Sequence, residues 1–208
     1  MSGDFSRPSW DSYFLGIALS VSTRADCRRR KVGAVLVGTD NRVLEVGYNG
    51  APAGHRGCLA GGCPRGLLSY EQVAAMADYS DPASSGYCIA LHAEVNALLI
   101  AGRAARGATI YITDEPCPNC RKVIMGAGVV RAVWPGFELD TTSPDSAPVP
   151  NTDLIPAVAE AVVRSVPDDA PAAEEMCRST SPASGPPPGA GRAASGPLPG
   201  GRSSTTAT

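Results

Sequence analysis

The chain has 208 residues, of which 43% are hydrophobic and 18% charged, with a net charge of −2. That length supports one domain with a true core plus an appendage. The faintly acidic balance argues against a polynucleotide partner, which calls for a basic face, and no run of about 18 apolar residues could form a membrane helix.

The polar residues 1–8 lack the apolar core of a secretory signal, so the expected setting is the cytoplasm, where thiols stay reduced. Residues 9–23 read as a helix. Ser9 is placed to cap it, and Trp10, Phe14, Ile17, Ala18 and Val21 recur at helical spacing. A dense basic run follows, Arg28-Arg29-Arg30-Lys31. Taken alone, such a run is a solvated turn; in an acidic chain it also suits a small acidic ligand. Residues 32–38 and 42–48 read as two strands joined by the Thr39-Asp40-Asn41 turn. Residues 49–88 hold many Gly, Pro and Cys with little periodicity, an irregular excursion with a short helix expected at 70–78. A helix over 90–102, a strand over 108–113, a helix over 118–126 and a strand over 129–134 complete the pattern. The expected fold is a three-layer α/β/α sandwich around a mixed sheet of about five strands. Residues 1–140 are the expected domain. Residues 141–208 read as a tail rich in Pro, Ala, Ser and Gly, too poor in apolar sequence to order itself, except for a short helical pattern at 153–164.

Two motifs carry chemistry: His92-Ala93-Glu94 and Pro116-Cys117-Pro118-Asn119-Cys120. Together they fit the H-x-E and P-C-x-x-C pattern of zinc deaminases. A catalytic zinc takes three protein ligands and leaves one position for water, and His92, Cys117 and Cys120 supply three. Both motifs open a predicted helix, where the helix dipole favours thiolate over thiol. Glu94, two residues from His92, is the expected proton shuttle between a zinc-bound hydroxide and the base. A structural zinc site in a non-catalytic binding module is the rival from another class, but such a site has no use for Glu94.

At these residues the chain resembles the deoxycytidylate deaminase family of the cytidine deaminase-like fold. The resemblance covers about residues 8–135. It includes Arg7-Pro8-Ser9-Trp10-Asp11, Lys31-Val32-Gly33-Ala34-Val35 and Gly47-Tyr48-Asn49-Gly50, together with the two motifs. It implies hydrolytic deamination of dCMP to dUMP and ammonia, assembly as a homo-oligomer, hexameric in many members, and often control by dCTP and dTTP. Carried over, it places Asn49 on the sugar or phosphate, the Ala93 backbone N–H on the base carbonyl, and Arg29 and Lys31 near the phosphate. Trp134 is a candidate nucleotide contact and Arg103 a candidate subunit contact linked to effectors. Deamination of a C5-modified dCMP, a tRNA adenosine or guanine is the alternative chemistry.

Seven cysteines occur; Cys117 and Cys120 serve the motif and Cys177 lies in the tail. The other four, Cys27, Cys58, Cys63 and Cys88, match the number a closed tetrahedral zinc needs, with Cys58 and Cys63 at a usable chelate spacing. Some family members carry a second zinc with a cysteine at the position of Cys27, and His55 is a rival ligand. Four buried reduced thiols are the plain reading.

Overall fold

The computed structural model describes residues 7–75, 80–84 and 86–152. The expected helix at 153–164, the low-complexity tail and the end of the 70–78 helix lie outside the described residues.

The first helix, α1, runs Trp10–Ser22, and the Ser9 hydroxyl accepts from the Ser12 N–H at 3.2 Å, as an N-cap should. The strands β1 (Gly33–Val37) and β2 (Val43–Tyr48) pair as an antiparallel hairpin. Asn41 sits at its turn with φ 59°, a left-handed conformation that asparagine tolerates. The excursion then carries a short helix α2 (Tyr70–Ala75) before α3 (Ala93–Ala101). The α3 helix starts later than its pattern suggests because Leu91 is held extended in a bridge with Gly50, leaving His92 as the cap. After β3 (Thr109–Ile112) come α4 (Pro118–Gly126), with proline in its first turn, and β4 (Arg131–Trp134).

Two further strands, β5 (Phe137–Asp140) and the two-residue β6 (Val149–Pro150), extend the sheet to six in the order β2-β1-β3-β4-β5-β6. This is one strand more than expected, and ordered structure continues past residue 140. The β3–β4 pair is parallel and every other pair antiparallel, so the sheet is mixed.

Strand alternation sorts the core onto two faces. Ala34, Leu36, Ile110, Ile112, Ala132 and Trp134 pack with Ala97 and Leu98 of α3 and Ile124 of α4. Val35, Val37, Tyr111 and Val133 pack on the other face with Phe14, Leu15 and Ala18 of α1. The result is the three-layer α/β/α sandwich that the sequence pattern implies. Two glycines let the helices approach. A Cβ on Gly33 would lie 2.1 Å from the Ala18 carbonyl oxygen of α1, and one on Gly47 would lie 2.2 Å from that of Ala93 in α3. On the α1 face, Asp11 accepts from both terminal nitrogens of Arg131 (2.9 and 2.7 Å), from the Tyr111 hydroxyl (2.9 Å) and from the Asn151 amide (2.8 Å). Arg131 also pairs with Glu138 of β5. Among the described residues, no helix is long and apolar enough to cross a membrane.

Candidate active site

The parallel pair β3–β4 needs a crossover, and α4 supplies it. The turn leaving β3 therefore delivers Cys117 and Cys120 to the carboxyl end of the strand, where ligands of open α/β sheets collect. The Gly50–Leu91 bridge brings the start of α3 to the same edge. Among the described residues, only His92, Cys117 and Cys120 put three metal-ligating atoms within 4.8 Å of one another. His92 Nδ1 lies 3.3 Å from Cys120 Sγ and 3.8 Å from Cys117 Sγ. A tetrahedral zinc, with sulfur at about 2.3 Å and nitrogen at about 2.0–2.1 Å, needs an N···S edge of about 3.5 Å, so the three residues fit the ion.

The electrostatics agree. A hydrogen bond from the Cys120 thiol and a further one from His92 hold Cys117 well below the usual thiol range despite burial. The same Cys117 contact, together with burial, pushes Cys120 up. His92 is raised, first through its hydrogen bond to Cys117. Glu94, only 4% exposed in the first turn of α3, has its carboxyl raised by burial against the pull of His92. A raised carboxyl holds a proton more readily than an ordinary one, as suits a group that must take and return it.

His92, Glu94 and Cys117 open onto a cavity of about 90 Å³, also lined by Ala93, Asn49, Arg29, Arg30, Arg65 and Asp114. The Asn49 amide is already engaged in part. Its Oδ1 accepts from the Val32 N–H and its Nδ2 donates to the Arg30 carbonyl, both at 2.9 Å, which pins the basic run to the end of β2. Arg29 donates from Nη2 to the Arg65 and Leu68 carbonyls (3.0 and 2.6 Å) and stacks 4.5 Å over the Tyr70 ring, so it ties the excursion to the sheet.

Lys31 is exposed and does not line the cavity. The reason is parity: Val32 packs on the α3 face, so its neighbour on an extended chain turns the other way. Arg30 takes the place expected of Lys31. Trp134 does not line the cavity either. It is 3% exposed in the core, stacked with Phe137, with Arg121 5.8 Å above its ring. Arg103 is exposed in the 3-10 turn Gly102–Ala105 that follows α3. Arg30, Arg65 and Asp114 were not expected at the cavity; the alternation of β1 and β3 is the signal that places Arg30 and Asp114 there.

The four remaining domain cysteines also line the cavity. Cys63 is in hydrogen-bond contact with Cys88 and Cys58, and Cys27 is near enough to act electrostatically on Cys58 and Cys88. The Cys88 contact draws Cys63 down to about 5, while burial raises Cys58 to about 11. No three of these sulfurs lie within 4.8 Å of one another. His55 is exposed and outside this cluster, with Nδ1 3.4 Å from the Ala53 carbonyl.

Residues 8–135 match the sequence profile of the cytidine and deoxycytidylate deaminase zinc-binding region. The chain belongs to that family. It is similar to the deoxycytidylate deaminase of Mycobacterium phage D29, 51% identical over 131 residues that cover 62% of this chain and 97% of the phage protein. The deoxycytidylate deaminase of Saccharomyces cerevisiae is 39% identical over 130 residues, and the match spans only 38% of that relative. Among solved structures, the dCMP deaminase of the cyanophage S-TIM5 in complex with dCMP and dUMP aligns over 62% of this chain and 82% of its own, at 27% identity and a TM-score of 0.44.

Proposed function

We propose that this chain hydrolyses dCMP to dUMP and ammonia. The observation that carries the reading is the buried Glu94 carboxyl beside the His92, Cys117 and Cys120 triad, in a cavity whose lining also includes arginines. Family membership and the names of the relatives support the choice of substrate.

His92, Cys117 and Cys120 would hold a zinc ion, which would supply a Lewis acid that lowers the pKa of a water to about 7. Glu94 takes a proton from the attacking water and delivers it to N3 of the cytosine ring. As C4 loses its amine, Glu94 moves a proton to the departing nitrogen, so dCMP and water leave as dUMP and ammonia. The Ala93 N–H, an unshared donor at the first turn of α3, holds the base carbonyl. The remaining N–H of Asn49 faces the sugar. The arginine wall holds the phosphate. Loss of cytosine absorbance in a panel of dCMP, deoxycytidine, dCTP and adenosine tests the reading. Turnover confined to dCMP upholds it, and a faster reaction on adenosine or the nucleoside overturns it.

The same reading includes a homo-oligomer that answers to dCTP and dTTP. The apolar outer end of α3 supports assembly, since Leu99 and Ile100 are 64% and 74% exposed. It also includes a second zinc drawn in by Cys27, Cys58, Cys63 and Cys88, supported by their shared wall and by the little apolar sequence the excursion has to hold itself.

A further inference from the structure

The turn that leaves β3 delivers a metal ligand, yet its backbone is short of partners. Pro116 and Pro118 flank Cys117, and neither carries an N–H. Pro116 is fully buried. Its carbonyl lies outside the α4 ladder, which begins with the Arg121 N–H on the Cys117 carbonyl at 2.9 Å. Among the described residues no backbone N–H reaches the Pro116 carbonyl. Buried carbonyls are nearly always paired. Here a side chain does the pairing: Arg121 Nε donates to the Pro116 carbonyl at 3.0 Å.

Arg121 follows Cys120 directly in α4, and its guanidinium makes two further contacts. Nη2 pairs with the Glu115 carboxylate, and Cζ lies 5.8 Å from the centroid of the core-packed Trp134 ring. The Nε and Nη2 edge therefore grips Glu115 and Pro116 together as a fork, a geometry that lysine cannot reproduce. The Arg121 and Glu115 side chains are 26% and 41% exposed, and an ion pair that open to solvent is worth little by itself. The weight of the arrangement rests on the buried carbonyl. The peptide between Pro116 and Cys117 sets the φ of Cys117, −63°, and so the direction in which its Sγ leaves the backbone. That sulfur accepts from the Cys120 N–H at 3.5 Å and stands 3.8 Å from His92 Nδ1. Cys117 is thus held from behind by Arg121 and from ahead by the first turn of α4. Glu115 balances the guanidinium charge, which leaves Arg121 a geometric part to play.

We propose that Arg121 is a positioning residue for Cys117 in the metal centre, acting through the Pro116 carbonyl, and that Glu115 acts through Arg121. This rests on the reading of His92, Cys117 and Cys120 as a zinc site.

The test measures zinc bound per chain by elemental analysis after dialysis against chelator-buffered zinc. It compares wild type, Arg121→Gln, Arg121→Lys, Glu115→Gln and the double variant Arg121→Gln/Glu115→Gln, and counts as the triad the binding that Cys120→Ser lacks. Loss of a partner one shell out from a metal ligand weakens the triad by roughly 10- to 100-fold in Arg121→Gln. Arg121→Lys keeps the charge without the fork and loses most of the same amount. Glu115→Gln weakens zinc several-fold alone and adds nothing once Arg121 is gone. Cobalt in place of zinc gives a second readout. Its ligand-field absorption, again by difference from Cys120→Ser, shifts in Arg121→Gln because the Cys117 sulfur has moved. A purely structural role would lower the urea midpoint of the metal-free chain and leave affinity and absorption where they were. If Arg121→Gln does not fold, Arg121→Lys and Glu115→Gln carry the same comparison. Wild-type zinc affinity in the folded Arg121 variants, or an unshifted cobalt spectrum, overturns the proposal alone, as does a further loss in the double variant. Zinc binding in wild type no greater than in Cys120→Ser overturns the zinc-site reading and this proposal with it.

Discussion

Gly47 bears on turnover although it does not line the cavity. It lies on β2 opposite Ala34, beneath the first turn of α3. In Gly47→Ala the new Cβ would sit 2.2 Å from the Ala93 carbonyl oxygen and 2.5 Å from the Ala97 nitrogen, both backbone atoms. Real Cβ contacts essentially never fall below 3.0 Å, so α3 must lift by about 1 Å. Overpacking of this kind costs about 1–3 kcal/mol, which lowers the Tm by about 3–10 °C. Because α3 carries His92 and Glu94 in its cap and first turn, the same lift moves the reacting groups, and a misplacement of about 1 Å costs about 100-fold in rate. The matched control is Gly33→Ala, whose Cβ would meet the backbone of Ala18 and Ser22 in α1 on the opposite face. It should lose comparable stability but stay within a few-fold of wild-type turnover, since α1 supplies no residue to the cavity. Thermal unfolding and the rate of dCMP deamination, measured on both variants at equal zinc content, decide the matter. A Gly47→Ala protein with wild-type Tm and kcat refutes the reasoning, and so does an equal loss of turnover in both variants.

Glu94→Ala should retain the zinc bound by wild type in elemental analysis yet lose at least about 100- to 10,000-fold in kcat, the usual value of a positioned acid–base group. Asp11 is affected first by burial, which raises its pKa, but hydrogen bonds from Arg131 and Asn151 outweigh that and hold the carboxyl below its ordinary 3.8. A lowered folded pKa adds stability that is complete above the unfolded value, near pH 4, and fades as pH falls toward the folded one. Asp11→Asn should therefore cost about 1–3 kcal/mol at pH 7 in urea unfolding, with the gap to wild type narrowing below about pH 4; a constant gap removes the ion pair as the cause. Elemental analysis should find two zinc ions per wild-type chain and one in Cys58→Ser/Cys63→Ser; a single zinc in wild type ends the second-site reading. Ending the chain after Thr152 should leave the Tm and turnover near wild type. Ending it after Asp140 removes β6 and the Asn151 contact to Asp11 and should lower stability by about 1–3 kcal/mol in the same assay.

The elements that announce themselves locally were legible before any coordinates. The α1 helix shows a cap and a periodic stripe, the β1–β2 hairpin a turn between two apolar runs, and α4 a proline one residue past its capping Cys117. For the strand β5, Pro135-Gly136 and the alternating Phe137-Glu138-Leu139-Asp140 carry a hairpin signal, but the polar composition beyond it masks a strand that survives on pairing with β4. The triad and Glu94 were readable because metal chemistry ties residue type to spacing. The cavity wall was not, because it depends on which way each side chain faces. Counting alternation from Ala34 back to Arg30 favours it over Lys31, whereas proximity in sequence treats the two alike. Trp134 shows the same limit: the end of β4 lies near the site, but its even position joins Ala132 in the core. No local pattern reveals that Arg29 reaches the Arg65 and Leu68 carbonyls, since these contacts span 36 and 39 residues.

The Asp11–Asn151 contact has a topological consequence. It brings residues that stand 140 positions apart in the chain to within 2.8 Å. The meeting point is on the α1 face, on the opposite side of the sheet from the cavity. The chain is thus closed into a loop whose seam lies away from the cavity. Such a chain is a natural subject for circular permutation. Joining residue 152 to residue 8 through a short flexible linker, and cutting instead at the exposed turn around Asp40, would leave every cavity residue in its original order around the site. It would also turn the β1–β2 hairpin into two strands held only by their ladder, and so would measure how much of the frame around α3 depends on that turn.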